Sequence, residues 1–378
     1  RPGRDDEHIA HEHTALRSYR REQPPMVNPS LATSPLHTSD SPLLEVENLQ
    51  VFYRTVSGLA RAVDGVDLTV RRGEILGLAG ESGCGKSTLA GALLGLIRPP
   101  GYIAGGRVLL RPSGREPVDL LRVDDGTLRS IRWRHLSYIP QGSMNSLNPV
   151  MRIVDQFVDV MAEHGTASRE EARDTVPSLL QQVGLGGHVA RMYPHELSGG
   201  MKQRVIIAMA IALKPDLVIA DEPTTALDVN VQRVMIQTLA ELRDRLGVSL
   251  IIVTHDMAVH AELVDRVAVM YAGKVVEVAG VRQIFANPRH PYTQGLIGAI
   301  PRVGGERKRL EGIQGNAPSP RDWPTGCRFH PRCSHVLPVC RSEVPIMRQI
   351  QSGGAEKQPD SGLVACHLYA AAGSEVSA

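Results

Sequence analysis

The residues Gly80-Glu-Ser82-Gly83-Cys84-Gly85-Lys86-Ser87 match the pattern G-x-x-x-x-G-K-[ST] in full. Glycines at this spacing let the backbone curl, so that successive N–H groups point inward at phosphate oxygens. A helix starting at Lys86 adds its positive end. Lys86 is then expected to reach the β- and γ-phosphates of a nucleotide, Ser87 to ligate Mg²⁺, and Thr88 to contact the α-phosphate. A second set is Leu217-Val-Ile-Ala220 running into Asp221-Glu222. Two adjacent carboxylates at the end of a buried strand are costly unless a cation or water uses them. Asp221 is placed to hold Mg²⁺ through water and Glu222 to polarise an attacking water as general base. A third set, Leu197-Ser198-Gly199-Gly200, precedes a long, nearly all-apolar helix expected over Val205 to Leu213. A serine hydroxyl with exposed N–H groups at a helix start forms another anion site. One phosphate loop needs no second anion site of its own. The third set makes sense if it caps the γ-phosphate of ATP held by another subunit.

These residues need elements to hold them. Glu74 to Ala79 is a short apolar run ending in glycine, and Leu89, Leu93 and Leu96 then repeat at helical spacing. Strand, glycine loop and helix are the context a phosphate loop requires. Leu44 and Val46, then Leu49, Val51 and Tyr53, alternate as a strand, and Ala62 to Val70 forms a second, with Asp64-Gly65 as a turn or bulge. Residues 142–204 read as mostly helical. Strands return at Leu217–Ala220 and Ser249–Val253, and Arg266–Met270 and Val275–Val278 flank the turn Ala272-Gly273-Lys274 as a hairpin. There is no internal repeat, and an α/β core interrupted by a helical insert is the simplest architecture.

Composition narrows the possibilities. The 378 residues are 42% hydrophobic, enough for a large core. Lys plus Arg (42) nearly balances Asp plus Glu (40), the net charge is +2, and aromatics are only 4%, which argues against a nucleic-acid surface. No run approaches the ~18 apolar residues of a membrane helix. Residues 1–25 are charged and His-rich without the apolar segment of a secretory signal, so a cytosolic location is expected. Residues 1–42 are expected to be disordered, with Met26 as a more natural start. From about Asn287 the chain turns rich in Pro, Gly, Arg and Cys and reads as an extension. Four of the five cysteines lie there (Cys327, Cys333, Cys340 and Cys366), and such clustering in a cytosolic chain suggests metal before disulfide. Four thiolates suit Zn²⁺ or an iron–sulfur cluster, and the spacing Cys-x5-Cys-x6-Cys-x25-Cys is not that of a zinc ribbon. His330, His335 and His367 are alternative ligands expected to be bystanders.

With its glycine loop, paired acids and Ser-Gly-Gly in this order, the segment from about 43 to 286 resembles the ABC ATPase family. The resemblance implies a P-loop NTPase (RecA-like) core with an antiparallel β subdomain, a helical insert at about 142–204 and, here, a Cys-containing extension over 287–378. It implies that Gln141 contacts Mg²⁺ and the attacking water and senses a membrane subunit. Thr225-Ala226-Leu227-Asp228 matches the segment that crosses the dimer interface, and His255 matches the histidine that contacts the γ-phosphate. Tyr53, with Phe52 as the alternative, matches the aromatic that stacks on adenine.

Two further segments resemble the dipeptide, oligopeptide and nickel import group. They are Gln141-Gly-Ser-Met-Asn-Ser-Leu147-Asn148-Pro149-Val150 and His290-Pro291-Tyr292-Thr293-Gln294-Gly295-Leu296. Gly142 stands where many members carry an acidic residue. Cys327-Arg-Phe-His-Pro-Arg-Cys333 also resembles this group's tail, in which four such cysteines hold a [4Fe–4S] cluster in some members. The resemblance implies ATP with Mg²⁺, a second ATPase subunit, two integral membrane permeases and an extracytoplasmic binding protein. The location implied is peripheral, on the cytoplasmic face of the membrane. Nickel or oligosaccharide import by the same machinery, and a soluble ABC ATPase outside transport, are the competing expectations. A long coiled coil or a second cassette would mark the latter, and neither is present.

Overall fold

The computed structural model describes residues 42–164, 167–225, 228–300, 312–350 and 362–369. The stretch expected to be disordered, before residue 42, lies outside them. In chain order the strands are β1 (Pro42–Thr55), β2 (Gly58–Arg71), β3 (Ile75–Ala79), β4 (Gly101–Leu110), β5 (Val118–Asp119), β6 (Leu136–Ile139), β7 (Leu217–Asp221), β8 (Ser249–Val253), β9 (Arg266–Tyr271), β10 (Lys274–Gly280), β11 (Arg348–Gln349) and β12 (Leu363–Val364). The helices are α1 (Lys86–Leu93), α2 (Asp125–Ile131), α3 (Ile153–Glu163), α4 (Arg169–Gln182), α5 (Gly199–Ala210), α6 (Val229–Leu246), α7 (Met257–Leu263), α8 (Val281–Ala286) and α9 (Pro291–Gly298).

The first sheet is antiparallel, in the order β2-β1-β4-β5. The apolar alternation of β1 changes phase between Val46 and Leu49, and there the register shifts. Asn48 takes a left-handed conformation (φ 44°) and its N–H donates to Asp67 Oδ1 at 2.7 Å. A one-residue bulge is what keeps Leu44, Val46, Leu49 and Val51 all buried. A second shift falls at Gly65 (φ 77°), as the Asp64-Gly65 signal suggested.

The second sheet runs β11-β12-β10-β9-β3-β8-β7-β6. The strands from β9 to β6 are parallel. The central strands β3, β7 and β8 are buried at every position, which is why their sequences read as unbroken apolar runs. Successive side chains still separate by face. Leu76, Leu78, Leu217, Ile219, Ile251 and Val253 pack with α1 and the antiparallel sheet. Ile75, Ala79, Val218, Ala220, Leu250 and Ile252 pack with the helices of the insert and with α6.

The insert between β6 and β7 is helical as expected: α3, α4 and α5 with short 3₁₀ turns. α4 starts with a capping box, Ser168 and Glu171. The helix expected over Val205–Leu213 is displaced towards its N-terminus. α5 begins at Gly199 because Ser198 caps it, and ends at Ala210, with Lys214 in a left-handed conformation (φ 52°) before Pro215. The hairpin β9–β10 turns at Ala272 (φ 50°) and Gly273 (φ 80°), as its sequence indicated. The extension adds β12 antiparallel to β10 and β11 to β12.

α7 covers β3 and buries His260 completely. Its Nε2 donates to the Thr254 carbonyl at 3.3 Å, and its Nδ1 sits where a Cβ on Gly77 would approach to 2.5 Å. Burial lowers its pKa from 6.5 to about 4. The unfolded chain therefore binds this proton first as pH falls. The stability that neutral His260 contributes is full above about pH 6.5 and is lost as pH drops towards 4. We expect unfolding free energy to fall by about 3 kcal/mol across that window from this group, and His260→Gln to flatten the slope in urea titrations at several pH values.

Candidate functional site

The parallel order β3-β8-β7-β6 brings four strand ends to one edge of the sheet. They deliver Gly80, then Thr254 and His255, then Asp221 and Glu222, then Pro140 and Gln141. This is the edge at which α/β sheets bind ligands.

After β3 the chain turns through residues 80–85 into α1. Gly80 (φ 145°) and Gly85 (φ 109°) each run so close to a neighbouring backbone that a Cβ would collide, with the Met270 carbonyl at Gly80 and the Ala62 carbonyl at Gly85. Gly83 (φ 79°) faces open space. Gly85 precedes α1 in a left-handed conformation and no side chain caps the helix, so its first N–H groups keep their capacity for an anion. Lys86 Nζ donates to the carbonyls of Gly80 (2.7 Å) and Glu81 (3.1 Å), which holds the ammonium over the loop. Ser82 and Gly83 are exposed on the outer turn and Cys84 points inward, where burial pushes its thiol pKa up.

Ser87 Oγ donates to Asp221 Oδ1 at 3.3 Å, and the Tyr138 hydroxyl approaches Asp221 Oδ2 at 3.5 Å. Asp221 is 2% exposed. Burial raises its pKa, the charge of Glu222 adds to that, and the hydrogen bonds from Ser87 and Tyr138 oppose it. Burial pushes Tyr138 up to about 12. A serine hydroxyl and a carboxylate facing each other are oxygen ligands suited to Mg²⁺, with water completing the shell. Thr88 follows Ser87 in the first turn of α1, half-buried.

Glu222 takes a left-handed backbone conformation (φ 52°), a strained one for a non-glycine residue. Its N–H donates to the Val253 carbonyl at 2.8 Å, tying the turn to β8. Its carboxylate accepts from His255 Nδ1 (2.7 Å) and N–H (3.3 Å) and from the hydroxyls of Thr225 (2.9 Å) and Thr254 (3.4 Å). The strain aims the carboxylate at His255 beside Asp221. Gln141 is exposed at the end of β6.

The Ser-Gly-Gly set lies on the insert. Ser198 Oγ accepts from the Met201 N–H at 3.3 Å, and a Cβ on Gly200 would fall 2.7 Å from Val231 Cγ1 of α6. Ser198 and Gly199 are exposed, and their residues share no hydrogen bond with the 80–88 loop among the described residues. Asp228 caps α6 through the Val231 N–H (2.9 Å), while Ala226 and Leu227 lie outside the described residues. Tyr53 packs on Gly101, where a Cβ would sit 2.6 Å from its ring, and Phe52 on the opposite face meets Tyr102 edge-on at 6.2 Å.

Comparison with known proteins agrees with this geometry. The family described as "ABC transporter" matches residues 63–225, and "Oligopeptide/dipeptide transporter, C-terminal region" matches 276–340. The dipeptide transport ATP-binding protein DppD of Caldanaerobacter subterraneus subsp. tengcongensis is 42% identical over 329 residues, 86% of this chain and 97% of that protein. The oligopeptide transport ATP-binding protein AppD of Bacillus subtilis is 40% identical over 339 residues, 89% of this chain and all of that protein (100%). The chain belongs to the ABC transporter family. Among solved structures, the ATP-binding cassette MJ0796 in a post-hydrolysis dimer bound to ADP and Pi is 27% identical, with TM-score 0.55 over 63% of this chain and 99% of that one. Family membership, with an intact glycine loop and paired acids, makes this chain an ATP-binding and ATP-hydrolysing subunit.

Two features depart from the sequence reading. One is Gln203 of α5, buried at 3% exposure, which has no role of its own in the Ser-Gly-Gly motif. Its Oε1 accepts from Ser143 Oγ (2.8 Å) and its Nε2 donates to the Pro223 carbonyl (2.8 Å). It thus joins the segment after Gln141 to the residue after Glu222. No sequence signal marked it, because it lies between Lys202 and Arg204 in the polar first part of the helix.

The other is the tail cysteines. Cys327, Cys333, Cys340 and Cys366 do share one neighbourhood. The Cys327 N–H donates to the Cys340 carbonyl at 2.9 Å, and burial, with the charges of the other three adding, pushes Cys366 up to about 12. All four are free thiols. Among the described residues, however, no group of three or more His, Cys, Asp or Glu is arranged to hold a metal ion. The expected [4Fe–4S] or Zn²⁺ site is therefore not supported among the described residues. His330 and His367 are engaged with backbone carbonyls, at 2.9 Å each.

The glycines yield a graded test. Gly85→Ala places a Cβ into the Ala62 carbonyl and should weaken ATP binding by more than about 100-fold, whereas Gly83→Ala meets only the left-handed backbone cost of about 1–2 kcal/mol and should weaken it by no more than about 30-fold. Equilibrium titration with a fluorescent ATP analogue measures both. Equal losses would mean that close backbone approach does not shape the loop.

Proposed function

We propose that this chain powers the import of di- or oligopeptides, as one ATPase subunit of an assembly with a second such subunit, two membrane permeases and an extracytoplasmic binding protein. The relatives named for dipeptide and oligopeptide transport and the matching C-terminal region support this reading. In it the backbone N–H groups of 80–88 and Lys86 bind the triphosphate, and Tyr53 stacks on adenine. Ser87 and Asp221, together with Gln141, would hold Mg²⁺, which supplies neutralising charge. Glu222 takes the proton of the attacking water, and His255, bonded to Glu222, faces the γ-phosphate. Ser198, Gly199 and Gly200 act on nucleotide bound by the partner subunit, and Asp228 stands at that interface. Catalysis is positioning and charge stabilisation. The single observation that carries the hydrolytic part of this reading is the Asp221–Glu222–His255 cluster beside Ser87 at one sheet edge.

An apolar cleft of about 350 Å³ lies between the core and the insert, lined by Leu96, Trp133, Leu147, Ile206 and Met209 and reaching Pro140 next to Gln141. We read it as the seat of a permease helix, which would place the subunit peripherally on the cytoplasmic face of the membrane. Among the described residues no helix is long and apolar enough to cross a membrane. Whether the four tail thiols take a metal is a separate question from ATP binding. Iron, sulfide and zinc analysis of anaerobically purified protein decides that.

The functional tests are direct. Glu222→Gln should retain ATP binding, lower hydrolysis by about 10²–10⁴-fold, and give an ATP-dependent dimer in light scattering. Unchanged hydrolysis would remove Glu222 from the role of base. Cells lacking this chain should lose uptake of labelled di- and tripeptides and keep uptake of nickel. The opposite pattern would overturn the substrate class.

A further inference from the structure

The C-terminal region reaches into the nucleotide loop itself. Glu81, the residue after Gly80, is held from two sides by residues far along the chain. Its N–H donates to the Tyr292 hydroxyl at 2.8 Å. Its carboxylate takes both guanidinium branches of Arg332, Nη1 to Oε2 at 2.8 Å and Nη2 to Oε1 at 3.0 Å. Such a fork is the strong, directional form of a charge-assisted bond. The Glu81 carbonyl in turn accepts from Lys86 Nζ at 3.1 Å. One residue thus joins the tail to the ammonium that faces the phosphates.

Both anchors are fixed. Tyr292 is fully buried, packed against Tyr271 (centroids 4.5 Å apart) and Phe329 (5.5 Å). It stands on the first turn of α9, where buried His290 accepts the Tyr292 N–H at 3.0 Å through Nδ1 and Pro291 opens the helix. Buried Glu277 of β10 accepts the N–H groups of Arg289 and His290, each at 2.8 Å. The run His290-Pro291-Tyr292 is therefore a rigid bracket that ends in a hydroxyl aimed at Glu81. The Arg332 side chain is 7% exposed and also donates to the Gln314 carbonyl (3.0 Å) and the Tyr271 hydroxyl (3.3 Å). Tyr292 and Arg332 both fall in the segment that matches the C-terminal region, outside the 63–225 match.

We propose that Tyr292 and Arg332 are positioning residues for ATP: they clamp Glu81, fix the mouth of the 80–88 loop and make ATP affinity depend on how the C-terminal region is docked. The inference rests on the reading of that loop as the ATP site. Binding linkage is reciprocal, so nucleotide should also steady the region around Tyr292 and Arg332.

The test uses the full chain with its partner subunits, a fluorescent ATP analogue with Mg²⁺, and steady-state hydrolysis. Tyr292→Phe keeps the ring and deletes the hydroxyl, leaving the Glu81 N–H unpaired. ATP affinity should weaken by roughly 5- to 10-fold, with kcat at saturating ATP within about twofold. Arg332→Gln should act likewise, Arg332→Lys should restore part of the loss, and Glu81→Gln should add little to Arg332→Gln. Unchanged affinity in both Tyr292→Phe and Arg332→Gln, while Lys86→Ala abolishes binding, would overturn the clamp. Intact binding in Lys86→Ala would overturn the ATP-site reading beneath it. Hydrogen exchange of the unaltered protein gives an arm that needs no variant. MgATP should slow exchange over 290–298 and 326–333, and no change there contradicts the proposal.

Discussion

A triphosphate concentrates negative charge that only converging donors can hold, and in this chain they converge because a buried strand, β3, stops beside two backbone carbonyls. Met270 and Ala62 leave no room for a Cβ at positions 80 and 85. The chain must turn there on glycine, and the turn leaves the first N–H groups of α1 uncapped. Lys86 closes over the loop on its own carbonyls. The other functional side chains owe their places to the same sheet: with β8 beside β3 and β7 beside β8, the residues that follow these strands sit side by side.

The carboxylates show how such a site carries its cost. Asp221 is buried and burial disfavours its charge, while Ser87 and Tyr138 oppose that through hydrogen bonds. Glu222 adopts a left-handed backbone conformation that non-glycine residues avoid, and is held in it by the Val253 carbonyl and by His255, Thr225 and Thr254. Strain of this kind persists only where the surroundings over-determine it. Gln203 extends the network, joining the segments that follow Gln141 and Glu222, so the insert that bears Ser198 is coupled to the core through a buried amide.

Much of this was legible in the residues. Unbroken apolar runs mark β3, β7 and β8, since both faces of the sheet are covered, and the glycine loop, the paired acids and His255 follow them directly. Other features were hidden for physical reasons. The strand β4 begins Gly101-Tyr-Ile-Ala-Gly-Gly106, and three glycines erase the alternation that would reveal it. The start of α5 depends on which hydroxyl caps it, so the apolar run alone placed the helix too late. The tail cysteines read as a ligand set from spacing, but ligation depends on sulfur-to-sulfur geometry that spacing does not encode. The His290-Pro291-Tyr292 run was visible only as a family marker. Its physical role, bracing Glu81 from more than two hundred positions away in sequence (|i−j| = 211), exists only in the folded chain.

The central claim is that each nucleotide lies between the 80–88 loop of one subunit and the Ser198 segment of another. Vanadate trapped with MgADP in place of the γ-phosphate cleaves nearby backbone under ultraviolet light, and the fragments can be mapped by mass spectrometry. The account predicts cuts within 80–88 and also at 198–200, the latter lost when the subunits are kept apart. Cleavage confined to 80–88 in the assembled transporter would contradict it.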